Sequence, residues 1–278
     1  VNRIVTDMTE REYMSLERCS HSRLRTLGTE SPAHLKAELD EPPEPTDAQT
    51  LGTATHYAVL QPEVFDERVI EGPCHDRRAK AWLAAASETP ARSILLRPKD
   101  YDAALHMRDA VYAHEAARSL LDRATARELT VLWDHEEGVA CKARIDLLVP
   151  ELAMTVELKT AHSAARSVFE RALFNFGYYS QGAWYIDAIN AVQSEVQYVN
   201  HAIIAVEPEA PYAVNAFLPG EDVIQLGRQE LRPWVRIYAD CIRTGVWPTE
   251  SHEYSQMFRD ISLPPWGAQK IEERTVAI

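Results

Sequence analysis

Three residues carry the chemistry most directly: Asp146, then Glu157 and Lys159 with one apolar residue, Leu158, between them. Each lies in a segment whose apolar and polar residues alternate, Lys142–Val149 (KARIDLLV) and Met154–Thr160 (MTVELKT). Side chains alternate faces along a strand. In the second segment Met154, Val156 and Leu158 face one way, and Thr155, Glu157 and Lys159 the other. Glu157 and Lys159 then stand side by side, roughly 6–7 Å apart along the strand. In the first segment Ala143, Ile145, Leu147 and Val149 are expected to form an apolar face, with Asp146 opposite. A short Pro150-Glu151 turn brings Asp146 next to Glu157. Two carboxylates held close repel unless a cation lies between them. Mg²⁺, a hard cation that takes oxygen ligands, suits such a pair, and the Leu158 carbonyl offers a further ligand. Mn²⁺ accepts the same donors. Lys159 can then hold or deprotonate a water and stabilise developing negative charge.

A bare acid-x-Lys downstream of an aspartate is a weak signal in an acidic chain, and its bland reading is a salt bridge on an exposed sheet face. The lysines sharpen it. The chain has Lys36, Lys80, Lys99, Lys142, Lys159 and Lys270, and of these Lys159 alone has an acid two residues before it.

These residues need a sheet to position them. Glu128–Trp133 (ELTVLW) also alternates, so three neighbouring strands with short connections read as an antiparallel meander. The part before it reads as helical. Periods are visible at 14–27, from Ser31-Pro32 onward, at 51–60, 76–87 and 99–123, with an acidic proline loop at Glu41–Pro45. Helices are expected at 164–174 and 178–192, strands at 198–206 and 212–218, and a last helix at 221–244. The expected fold class is α/β, a central twisted mixed sheet flanked by helices. The expected organisation is one domain over 1–250, helical to 125 and catalytic over 126–250, followed by an irregular tail over 251–278.

The chain has 278 residues, 46% hydrophobic and 26% charged, which excludes a disordered, collagenous or disulfide-scaffold protein. No apolar run reaches the ~18 residues of a membrane span, and no secretory signal is visible, so a cytoplasmic protein without membrane partners is expected. Cys19, Cys74, Cys141 and Cys241 include no CxxC pair, which argues against zinc ribbons. The formal net charge of −13 argues against a general nucleic-acid coat.

The pattern resembles the PD-(D/E)XK nuclease superfamily, most closely the RecE-type phage recombination exonucleases, relatives of lambda exonuclease and the RecB nuclease domain. Gly52-Thr53-Ala54-Thr55-His56 and Leu60–Phe65 resemble that family's Gly-Thr-x-x-His helix and the segment after it. Cys141-Lys142-Ala143-Arg144-Ile145-Asp146, Glu157-Leu158-Lys159-Thr160 and Tyr178-Tyr179-Ser180-Gln181 with Tyr185 follow in the family's order. Ser20–Leu24 and Ser31–His34 are similar to its opening helices. The proline of the superfamily's name is absent, and the motif acid is glutamate.

The resemblance implies the following roles. His56, Asp146, Glu157, the Leu158 carbonyl and Glu128 would hold Mg²⁺ or Mn²⁺, two ions per site. Lys159 would position the attacking water. Gln181 and Tyr185, at i and i+4 on a helix, would brace the site or touch the scissile nucleotide. Apart from the resemblance, arginines outnumber lysines 23 to 6, and Arg23, Arg25 and Arg166 are expected to bind DNA phosphates, since arginine grips phosphate with a bidentate fork. The activity implied is 5′-to-3′ degradation of linear duplex DNA, yielding 5′-mononucleotides and 3′ single strands for a single-strand annealing protein. A homo-oligomeric ring of three or four subunits would reconcile an acidic exterior with a DNA channel. A structure-specific or restriction-type endonuclease, and an inactive acidic DNA- or protein-interaction module, remain as alternatives.

Overall fold

The computed structural model describes residues 2–6, 8–250 and 262–276. A short strand, β1 (Arg3–Val5), precedes four helices: α1 (Glu10–Ser15), α2 (His21–Thr29), α3 (Pro32–Asp40) and α4 (Asp47–Leu60). Each helix starts where a hydroxyl side chain, on Thr9, Ser20, Ser31 or Thr46, accepts a first-turn N–H. α5 (Pro62–Arg68) leads into β2 (Val69–Glu71). After α6 (Lys80–Glu88), β3 (Ile94–Leu96) pairs parallel to β2 in a small separate sheet. α7 (Pro98–Ala113) and α8 (Glu115–Arg123) complete the helical part.

The expected meander follows as β4 (Ala126–Asp134), β5 (Ala140–Val149) and β6 (Met154–Thr160), all antiparallel. α9 (Arg166–Asn175) and α10 (Tyr178–Val192) cross back to β7 (Asn200–Val206), which runs parallel to β6. β8 (Val214–Phe217) pairs antiparallel to β7, and α11 (Glu221–Thr244) and α12 (Pro265–Val276) end the chain. The result is a six-stranded mixed sheet in the order β1-β4-β5-β6-β7-β8, covered by helices on both faces.

On one face Leu129, Val131, Ala143 and Ile145 pack under Trp184, Ile186 and Ile189 of α10, with Leu24 and Leu27 of α2 in the same cluster. α11 lies behind α10, close enough at Gly227 that a Cβ there would sit 2.8 Å from the Tyr179 carbonyl oxygen. On the other face Val156, Leu158 and Ile204 pack against Val59 of α4 and Met107 and Val111 of α7. Each fully buried aliphatic side chain of this kind contributes about 1.5–3 kcal/mol.

Four expectations need correction. The helix expected at 14–27 is two helices, because Cys19 leaves the helical path to pair with β5: its N–H donates to Ala140 O (2.8 Å) and its carbonyl accepts from Lys142 N–H (2.7 Å). The period at 99–123 is broken at His114, which ends α7 and caps α8 through its ring nitrogen. The tail expected to be irregular over 251–278 carries α12 over Pro265–Val276; its described residues are nearly all exposed, so no buried face imposes an apolar period. Residues 251–261 of that tail lie outside the described residues.

The fourth correction bears on the site. Ala143 and Ile145 pack on the α10 side, whereas Leu147 and Val149 pack on the α4–α7 side. The alternation of β5 switches phase at Asp146. Across from it on β4, between the pairs Arg127↔Leu147 and Leu129↔Ile145, is Glu128, which takes a left-handed conformation (φ 49°) where the ladder is interrupted. Two acids therefore mark a kink shared by two strands.

Candidate active site

The β5–β6 ladder is continuous at Leu147↔Val156, Leu148↔Thr155 and Val149↔Met154, and then stops. Beyond it the Asp146 side chain takes the place of a backbone acceptor: Leu158 N–H donates to Asp146 Oδ2 at 2.7 Å. The parting strands open into a cleft of about 930 Å³, lined by β5, the end of β6, α4, α9 and the start of α10.

α4 delivers His56 from the other side. Its capping box at Thr46 and Gln49 fixes the start of the helix, and Ala54, Ala58 and Val59 bury its apolar side. His56 Nε2–H donates to Leu158 O at 2.9 Å. That bond sets the ring so that Nδ1 lies 3.6 Å from both Glu128 Oε1 and Asp146 Oδ2. His56, Glu128 and Asp146 each offer a ligand atom, all within 4.8 Å of one another. A metal-ligating histidine commonly gives its second N–H to a carbonyl in this way. The Leu158 carbonyl, expected as a ligand, is here the acceptor that orients His56.

Glu157 is 3% exposed and is held differently. Its Oε1 accepts from Lys159 Nζ and from Gln181 Nε2 (2.9 Å), while Oε2 is buried with no hydrogen-bond partner among the described residues. Gln181 Nε2 also donates to Tyr185 Oη at 2.8 Å. Gln181 thus meets Glu157 directly, and Tyr185 meets Gln181.

Electrostatics follow from this crowding. Burial pushes the His56 pKa down, but Asp146, Glu128 and Glu157 outweigh it and raise it to about 9. Burial and the negative charge of Glu157 raise Asp146 well above the usual carboxylate range. Burial opposes the charged form of Lys159, yet Glu157 and Asp146 raise its pKa above the usual lysine value. The His56 imidazolium, the Lys159 ammonium and the Arg144 guanidinium are the cations set against the three acids. The residues present fit a divalent cation. Hard carboxylate oxygens and an imidazole nitrogen converge, and the orphaned Glu157 Oε2 lacks a positive partner.

Other residues hold the site in shape. Arg144 Nε donates to Glu128 Oε2 (2.6 Å) and Nη1 to Met8 O (3.1 Å), leaving Glu128 Oε1 for the cluster. Lys142 Nζ donates to Tyr13 O (2.7 Å) and Leu16 O (3.0 Å), capping α1, whose Tyr13 lines the cleft. The signal for both was available: Lys142, Arg144 and Asp146 share one strand parity. The arginines expected on phosphate lie elsewhere. Arg23 donates to Arg18 O (2.6 Å), Arg25 to Asn175 O, and Arg166 pairs with Glu170 (2.9 Å). Among the described residues the cleft is lined instead by Arg144 and Arg171.

An antiparallel meander that opens beside a buried acid, followed by acid-x-lysine, defines the PD-(D/E)XK nuclease fold. The chain belongs to the family described as a PDDEXK-like domain of unknown function (DUF3799), whose model matches residues 20–259. It is similar in fold to the crystal structure of a putative exonuclease from Eubacterium rectale, with 13% identity, a TM-score of 0.65, and 99% of this chain and 100% of that chain covered. No curated protein matches the sequence. Among the described residues no helix is long and apolar enough to cross a membrane.

Proposed function

We propose that this protein is a Mg²⁺- or Mn²⁺-dependent exodeoxyribonuclease that degrades linear double-stranded DNA from 5′ ends. It leaves 3′ single strands for a single-strand annealing partner in the cytoplasm. The observation that carries the nuclease reading is the convergence of His56, Glu128 and Asp146, with the unpartnered oxygen of Glu157 and Lys159 beside it. When bound, one or two divalent ions would polarise the phosphoryl group and the leaving 3′-oxygen. His56, Glu128, Asp146 and Glu157 would hold them.

Lys159, fixed against Glu157, orients the attacking water toward phosphorus. Gln181 and Tyr185 keep Glu157 from rotating away, and Arg144 does the same for Glu128. Residues 1–250 act as one nuclease unit. Self-association into a ring of three or four subunits is part of the proposal.

Linear and covalently closed circular duplexes, with 5′-phosphate or 5′-hydroxyl ends, test the reading. Linear DNA is expected to release 5′-mononucleotides in Mg²⁺ while the closed circle stays intact. Efficient cutting of the closed circle contradicts the exonuclease. No cleavage with any divalent ion by folded protein contradicts the nuclease.

A further inference from the structure

α9 forms a wall of the cleft whose residues have no part in holding an ion. Val168, Arg171, Ala172 and Asn175 all line the cleft, at the i, i+3, i+4, i+7 spacing of one helical face. The opposite face is anchored: Phe169 is buried against Ile203 and Ala205 of β7, with Leu173 packed on the same cluster. Arg171 is exposed on this wall and pairs with no carboxylate among the described residues.

The wall ends in an aromatic rim. Phe176 lines the cleft yet is 59% exposed. Its ring stacks on Tyr178, with centroids 5.6 Å apart and planes 26° apart, and Lys159 Nζ lies 5.0 Å from the Tyr178 centroid. Aromatic faces thus run without a gap from Lys159 to solvent. Phe174 stacks on Tyr179 instead and does not line the cleft.

The turn presenting Phe176 is tied down. Phe176 N–H donates to Ala172 O (2.9 Å) and Gly177 N–H to Phe174 O (3.1 Å). Gly177 has φ 66°, a conformation that favours glycine. A Cβ on Gly177 would lie 2.5 Å from Arg25 Nη1, and Arg25 also holds the Asn175 carbonyl. Arg25 is therefore a buttress of this turn. A large apolar ring fixed in water at the mouth of a charged cleft has a use if something flat covers it.

We propose that α9 and Phe176 form a strand-guiding subsite for unpaired DNA, in which a nucleobase stacks on Phe176 and Arg171 grips a neighbouring phosphate. The proposal rests on the nuclease reading above and names the form of DNA that the cleft admits. Every base has a π face, so stacking on an aromatic side chain is strong and tolerant of sequence. A base inside a duplex has no free face to offer, so the guided strand enters from a single-stranded extension or a frayed end. Arg171, one helical turn before Asn175, supplies a planar fork for phosphate.

The test uses the full-length protein with Ca²⁺ in place of Mg²⁺ and a duplex carrying 2-aminopurine in a short single-stranded extension. Wild type is expected to quench the fluorophore as it stacks. Phe176→Ala abolishes the quench and weakens binding of the extended duplex about tenfold. Phe176→Trp retains both, and Arg171→Ala weakens binding and lessens its salt dependence. In Mg²⁺, Phe176→Ala slows cleavage of the extended duplex, and Phe176→Trp restores it. If wild type cleaves DNA and Phe176→Ala binds, quenches and cleaves as wild type does, the subsite is refuted and the nuclease stands. If folded wild type neither binds nor cleaves DNA, both fail.

Discussion

The two ends of the β5–β6 pair are built from the same strands and behave as opposites. From Val149↔Met154 to Leu147↔Val156 the ladder is closed and its side chains are buried, all apolar except Thr155, whose hydroxyl bonds His201. One residue further on, Asp146 and Glu157 leave the ladder, and hydrogen bonding passes to side chains: Asp146 to Leu158 N–H, His56 to Leu158 O, Gln181 to Glu157. The cleft lies where a sheet is opened at one end and repaired with ionisable groups. The closed end contributes stability. The open end gathers like charges that are relieved by neighbouring cations or by a proton on Asp146.

The buried histidines repeat the contrast. His21 and His201 lie in the layer under α10, where burial first, then Lys159, pushes both pKa values down to about 3. His56, among carboxylates, is raised to about 9. Two kinds of burial thus give one residue type opposite pH dependences.

The largest effect expected is on turnover. Lys159→Ala should lower DNA cleavage about 10³-fold while leaving Mn²⁺ affinity within a few-fold of wild type, as initial rates and calorimetry can check. Retained activity would remove Lys159 from the reaction. At the closed end, Leu147→Ala should cost about 2–5 kcal/mol in urea unfolding, by opening a cavity, with Mn²⁺ affinity unchanged. If it abolished ion binding without unfolding the protein, the two ends would not be separable.

A smaller effect tests the bracing. Arg144→Met frees Glu128 and should weaken Mn²⁺ binding about 10–100-fold. The unfolding midpoint without ion should move little. Binding equal to wild type would show that Glu128 needs no brace.

The last prediction concerns pH. In EDTA, His21 and His201 take up protons on unfolding, so their stabilisation is present above pH 6.5 and is lost as pH falls from 6.5 towards 3. His56 has the opposite sign: its contribution is present below 6.5 and is lost as pH rises through about 9, and the raised Asp146 acts in the same direction. Denaturation from pH 4 to 9.5 should therefore give a maximum near neutrality. His201→Asn should flatten the acid limb and His56→Asn the alkaline one. A metal-free protein that gains stability steadily up to pH 9.5 would contradict the charge balance assigned to the cleft.

How much of this was legible in the sequence depends on range. β6, α10 and α11 match their expected bounds because strong local alternation or helical period defines them. The acid-x-lysine face of β6 was equally clear, since period 2 leaves Glu157 and Lys159 no other side. What depended on distant partners was hidden. The break at Leu16–Ser20 exists because Cys19 pairs with Cys141, and nothing local signals that. The phase switch in β5 accompanies Glu128 in the neighbouring strand, so the local alternation places Leu147 and Val149 on the wrong face. Arg23 and Arg25 looked like phosphate ligands by composition. The carbonyls of Arg18 and Asn175, on which one N–H of each rests, are brought there only by the tertiary fold.

Soaking crystals in Mn²⁺ and recording anomalous diffraction tests the central claim most directly. The account predicts a peak bounded by His56 Nδ1, Glu128 and Asp146, with Glu157 Oε2 drawn towards an ion. Crystals that diffract well but show no peak there, with His56 still between the two carboxylates, would contradict it.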